Sequence, residues 1–153
     1  MAKLTKPILI AIVAGLLLLA VGVVAAVVGL AIYGHNQAFI AGNEEAATMN
    51  VKTISRAQIQ YYTEHGNFGT FDQLAETRLL SQRFAGAMPI VNGYVYDLKV
   101  RPASASQKST FTLNADPESA TTGNKHFFIN ETNSIIHVNR DRPANAGDPP
   151  HVR

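Results

Sequence analysis

The chain has 153 residues, with thirteen Lys+Arg against eleven Asp+Glu, a formal net charge of +2 and no cysteine. The missing thiols exclude disulfide scaffolds, thiolate metal sites and thiol chemistry. The charge excludes the basic excess expected of a nucleic-acid binder, because only Lys3 and Lys6 stand apart from an otherwise balanced chain with eleven residues of each sign after Tyr33.

Residues 8–33, ILIAIVAGLLLLAVGVVAAVVGLAIY, form a run of twenty-six residues without a charge. A membrane span needs roughly 20 apolar residues, more than a core helix usually offers in one run. At about 1.5 Å per residue the run is about 39 Å long as a helix. That crosses a hydrocarbon core of ~30 Å with some tilt. In lipid the backbone must satisfy its own hydrogen bonds, so the run is predicted to be helical. A cleaved secretory signal has an apolar region of only about 7–15 residues and a small-residue cleavage site. This run is longer and no such site closes it, so a retained single-pass anchor is expected. Pro7 suits the first helical position, where its missing N–H costs nothing. Lys3 and Lys6 place the N-terminus in the cytoplasm by the positive-inside rule, with the remaining domain outside.

Within the run Gly15, Gly22 and Gly29 recur every seven residues, with Ala11 and Ala26 on the same side. Seven residues at about 100° each return to within roughly 20° of the start, so these small residues share one stripe. Helices in a bilayer associate by close packing at such residues, which predicts self-association through the anchor. The competing explanation is that glycine is simply common in membrane helices.

From residue 36 to 65 the helical period continues. Ile40, Ala47, Val51, Ile54, Gln58 and Tyr61 follow one another at helical spacing and form one face, interrupted only by Gln58. Val51, Ile54 and Tyr61 are the predicted helix–sheet core. Glu44, Glu45, Asn50, Lys52, Arg56 and Gln60 read as the wet side. Gly42 and Asn43 read as a kink or boundary, and Gly66 as the stop. One helix over residues 7–65 would be roughly 88 Å long if unbroken.

Two glycines then mark a turn, and Thr70 or Asp72 can cap a short helix ending near Leu80. Residues 82–89 read as a loop. After them the period becomes two: Tyr94, Tyr96, Leu98 and Val100 alternate, Phe111 and Leu113 share a face, and residues 125–130 and 135–139 flank turn residues as a hairpin. The end, from residue 140, is rich in proline and has no apolar period.

This order of elements, and the stretches NEEAATMNVKTISRAQIQYYTEHGNFGTFDQL (43–74), YDLKV (96–100), TLNADP (112–117), GNKHFFIN (123–130), IHVN (136–139) and DPP (148–150), resemble type IV pilins and the pseudopilins of type II secretion. The resemblance covers about residues 43–150. It implies an α+β fold: a long N-terminal helix, half transmembrane and half amphipathic, packed on a three- to four-stranded antiparallel sheet. It divides the chain into a lead and transmembrane helix (1–35), a pilin-like domain (36–140) and a proline-rich tail (141–153). It also implies a structural subunit of a pilus, secretion-type or other extracellular filament, held in the bacterial cytoplasmic membrane with other pilin-like subunits as partners. The N-terminus departs from the family pattern. Pilins carry a Gly before the apolar run, where prepilin peptidase cuts, and a Glu shortly after it. Here that place reads LTKPILIA, and no acidic residue precedes Glu44. Uncut processing is therefore expected. A monomeric single-pass binding domain, presenting its loops to a ligand or the envelope, is the alternative.

No catalytic, cofactor or metal role is expected. His35, His65, His126, His137 and His151 lack HxH or HExxH spacing, although His126 and His137 could approach across the hairpin. Glu44 and Glu45 are adjacent, about 100° apart on a helix, and read as a solvated pair rather than an acid–base dyad. Asp116, Glu118, Asp141 and Asp148 lack the alternating ligands of a calcium loop. No P-loop, GxGxxG or GxSxG is present. Most of Tyr61, Tyr62, Phe68, Phe71, Tyr94, Tyr96, Phe111, Phe127 and Phe128 are expected to form the seam between helix and sheet rather than a ligand cage.

Overall fold

The computed structural model describes residues 6–152. Lys3 therefore lies outside the described residues. The first helix, α1, is Lys6–His65. Compact contacts divide the chain into two units, with the boundary between Ala38 and Phe39.

In the first unit the helix is long and apolar enough to cross a membrane by length and composition. All described side chains from Ile10 to Ala38 are exposed. A Cβ added at Gly15, Gly22 or Gly29 would meet nothing within 4 Å. Nothing in this chain's own packing therefore requires glycine at those positions.

In the second unit α1 continues through Gly42 and Asn43 without the boundary expected there. Its other half buries Ala47, Val51, Ile54, Ala57 and Tyr61 along one face. Gly66 ends it with φ +72°, and its N–H donates to Tyr62 O at 2.8 Å. That left-handed conformation suits a residue without a side chain. A second helix, α2 (Phe71–Glu76), starts at Thr70. The Thr70 hydroxyl accepts from Gln73 N, and the Gln73 side chain accepts from Thr70 N, a reciprocal capping box. A 3₁₀ turn over Gln82–Phe84 lies in the stretch read as loop.

The sheet has five antiparallel strands in sequential order: β1 (Ile90–Val91), β2 (Tyr94–Arg101), β3 (Thr110–Pro117), β4 (His126–Asn130) and β5 (His137–Asn139). The α+β class holds, and β1 adds a strand to those the alternation revealed. Asn92 (φ +54°) and Gly93 (φ +71°) join β1 to β2 as a two-residue hairpin turn, the sequence pair that such φ values favour.

Strand alternation puts Tyr94, Tyr96, Phe111, Leu113, Ala115, Phe127 and Ile129 on one sheet face, all essentially buried. The register stacks Tyr96 beside Ala115, Ala115 beside Phe127, and Leu113 beside Ile129. These side chains join Val51, Ile54, Leu74 and Phe84 in one apolar cluster. Burying each of the larger ones contributes roughly 1.5–3 kcal/mol. Aromatic contacts run through it: Phe84 meets Tyr96 edge-on at 5.4 Å and Phe68 meets Phe111 at 4.8 Å. Tyr61, Phe68, Phe71, Phe84, Tyr94, Tyr96, Phe111 and Phe127 form the helix–sheet seam, whereas Tyr62 is exposed and alternation turns Phe128 to the opposite face.

Candidate functional site

The chemistry of the second unit sits in polar side chains that α1 carries into or beside its buried face. Four of them tie α1 to other parts of the unit, Asn43 and Glu44 both to the β3–β4 loop. Asn43 donates to Thr122 O at 3.0 Å. Glu44 accepts from Asn124 N at 3.1 Å and pairs with Lys125 Nζ at 2.6 Å. Asn50 donates to the Tyr96 hydroxyl at 3.0 Å and accepts from Arg83 Nη2 at 3.2 Å. Gln58, fully buried, donates to Gly69 O at 2.6 Å and accepts from Gly69 N at 2.9 Å. A buried polar group is tolerable only when paired, and these pairings remove the cost.

Two expectations are corrected here. Glu44 and Asn50 do not lie on the wet side; they are 8% and 7% exposed. Their partners lie far along the chain, so helical period alone cannot reveal them. Gln58 is no accidental interruption of the apolar face, because its amide closes both backbone groups of Gly69.

The β3–β4 loop is fitted tightly at the same end. The Tyr94 hydroxyl donates to Lys125 O at 2.9 Å. A Cβ on Gly123 would come within 2.8 Å of Tyr94 Cζ. Burial raises the Tyr94 phenol well above its ordinary range, and the nearby Glu44 charge adds to the effect. Burial likewise pushes Tyr96 up to about 12, opposed by the Asn50 hydrogen bond. Both rings are thus neutral packing groups with one satisfied hydroxyl each.

The histidines have separate partners. His126 and His137 do not pair across the hairpin: the register sets His126 opposite Asn139 and His137 opposite Phe128. His126 Nδ1 lies 2.6 Å from Asp116 Oδ1, and His137 Nδ1 lies 2.6 Å from Asp148 O. His65 stacks on Tyr61 at 4.0 Å and reaches Tyr61 O. His35 is exposed on α1 and the His151 ring meets Phe127 edge-on at 5.5 Å. Among the described residues no three His, Asp or Glu side chains gather to hold a metal.

The proline-rich end is folded against the sheet. Asp148, 8% exposed, accepts from Arg142 Nη2 at 2.7 Å and Nη1 at 3.0 Å, from Asn139 Nδ2 at 2.8 Å and from Asn145 N at 2.8 Å. The Arg142 guanidinium holds its carboxyl down at about 2, with Asn139 assisting. No signal in the sequence pointed to this clasp beyond the turn residues of its loop.

Ala11, Gly15, Gly22, Ala26 and Gly29 are all exposed on α1 in the first unit. Val51, Ile54 and Tyr61 lie in the core of the second. No family model, curated protein or solved structure matches this chain.

Proposed function

We propose that this chain is a membrane-anchored structural subunit, pilin-like in plan, of a pilus, secretion-type or other extracellular filament. The observation that carries the reading is the division of labour along α1: an apolar, fully exposed first part, then a half whose buried face and polar side chains hold a five-stranded sheet and its loops. On this reading the apolar part sits in the bacterial cytoplasmic membrane, N-terminus inside, and the sheet domain lies outside. Its partners are copies of itself and other pilin-like subunits, bundled through the small-residue stripe on the anchor. The chain acts by packing rather than by catalysis.

The departure at the N-terminus favours a second reading. With Ala11 where pilins place a carboxylate, and no Gly before the run, the chain can serve as a monomeric anchored domain that presents its loops. Negative-stain microscopy separates the two. Full-length protein, purified in detergent and then freed of it, is expected to form fibres of uniform width. Discrete particles or amorphous clumps in place of fibres would favour the monomeric anchor.

A further inference from the structure

A sheet edge presents unpaired N–H and C=O groups and invites pairing with another chain. The two edges of this sheet are treated differently. On one side β1 is only two residues long. On the other, β5 meets the segment that follows it: Pro149 O accepts from Val138 N at 2.9 Å and His151 N donates to Ile136 O at 2.7 Å, an antiparallel bridge centred on His137 and Pro150. In such a bridge residues 149 and 151 turn their backbone groups inward, and residues 148 and 150 turn theirs outward. At residue 150 the outward donor is missing, because proline has no N–H. At residue 148 it is already used within the segment, donating to Asn145 O at 3.1 Å. The strap therefore covers β5 and offers no backbone donor at either position to a further strand.

The Asp148 clasp closes the strap upon itself and ties it to β5 through Asn139. A further bond runs from Asn114 Nδ2 to Ala144 O at 2.8 Å, on the sheet face that carries Phe128. The strap is thus held by polar ties along one edge and on the outer face, with Ala144 buried and the His151 ring meeting Phe127 of the core at 5.5 Å.

We propose that residues 142–152 are an edge guard, which denies β5 to a second copy of this chain. With the strap displaced, Val138 N and Ile136 O are free on each copy. Two β5 strands can then pair antiparallel about His137, each Val138 N–H donating to the other copy's Ile136 C=O. The geometry is self-complementary and closes as a two-fold dimer. It does not depend on the filament reading, since it concerns the sheet edge and not the anchor.

The test uses the absence of native cysteine. His137→Cys is introduced into the full chain and into a chain ending at Asp141, both in detergent micelles under mild oxidation. In the full chain the strap loses its His137 Nδ1 contact but keeps both backbone bonds to β5 and the Asn139 and Asn114 ties. Directly opposed residues of a non-hydrogen-bonded antiparallel pair are close enough for a disulfide. The shortened chain is expected to shift to a disulfide-linked species of twice the mass, and the full chain to stay monomeric. Gln107→Cys in the shortened chain reports collision or association through the anchor, and is expected to stay unlinked. Equal cross-linking of the full and shortened His137→Cys chains, or of the two cysteine positions, would overturn the proposal. So would loss of the sheet signal by circular dichroism in the shortened chain, because the strap would then be part of the core and not a guard beside it.

Discussion

Gln58→Leu sets the helical pattern directly against the geometry. By pattern, Gln58 is the one flaw in an otherwise apolar face, and leucine should mend it. By geometry, the amide closes Gly69 N–H and Gly69 C=O at 2.9 and 2.6 Å in a fully buried position. Leucine leaves both backbone groups unpaired, and each orphaned group costs about 1–3 kcal/mol. Leucine's extra apolar surface returns about 1 kcal/mol. The net loss is about 1–5 kcal/mol, a large part of the ~5–15 kcal/mol that holds a domain together. In a domain of this size that corresponds to a fall in Tm of roughly 10 °C. The chain has no tryptophan, so near-UV circular dichroism of the packed tyrosines follows the melt. A leucine variant that melts at or above the parent temperature would refute the reasoning, and would mean that the turn at Gly69 does not depend on the amide.

Ile54→Asp puts an unpaired carboxylate where exposure is zero and should abolish the cooperative melt, whereas Lys52→Asp, half-buried and outside the core, should shift it little; similar melts for the two would reverse the face assignment. Asp148 carries a folded-state value of about 2, below the ordinary 3.8, so its contribution to stability is complete above pH 4 and is lost as the pH falls through about 2. Arg142→Ala removes the main cause and should move the acid unfolding midpoint upward, read by circular dichroism against pH; an unchanged midpoint would contradict the clasp. Gly22→Ile keeps the anchor apolar but fills the small-residue stripe, so self-association in a membrane two-hybrid assay should fall while insertion stays normal, with Leu18→Ile as control; equal signals from both would leave the stripe without a role.

Much of the fold is legible in local sequence. Val51, Ile54 and Tyr61 announce a buried helical face through spacing alone, and Tyr94, Tyr96, Phe111 and Leu113 announce strands through alternation. Gly66 and Thr70 mark helix ends through conformations and hydrogen bonds that need no distant partner. The Asn92–Gly93 turn was equally readable, but the two-residue strand before it is too short to show a period. Glu44, Asn50 and Gln58 could not be placed from spacing, since a polar residue reads as wet until its partner is known. Their partners, Lys125, Tyr96 and Gly69, come from other elements. The strap was illegible for a related reason. Its proline content signals irregular backbone, but not that Pro149 O and His151 N would meet β5.

In the proposed topology α1 anchors the chain in a membrane and carries the sheet domain on the outer side. Protease added to intact spheroplasts tests it most directly, with a cytoplasmic protein as the control for lysis. The region after residue 36 is expected to be digested while the apolar part remains with the membrane. A sheet domain protected until the spheroplasts are broken would contradict it.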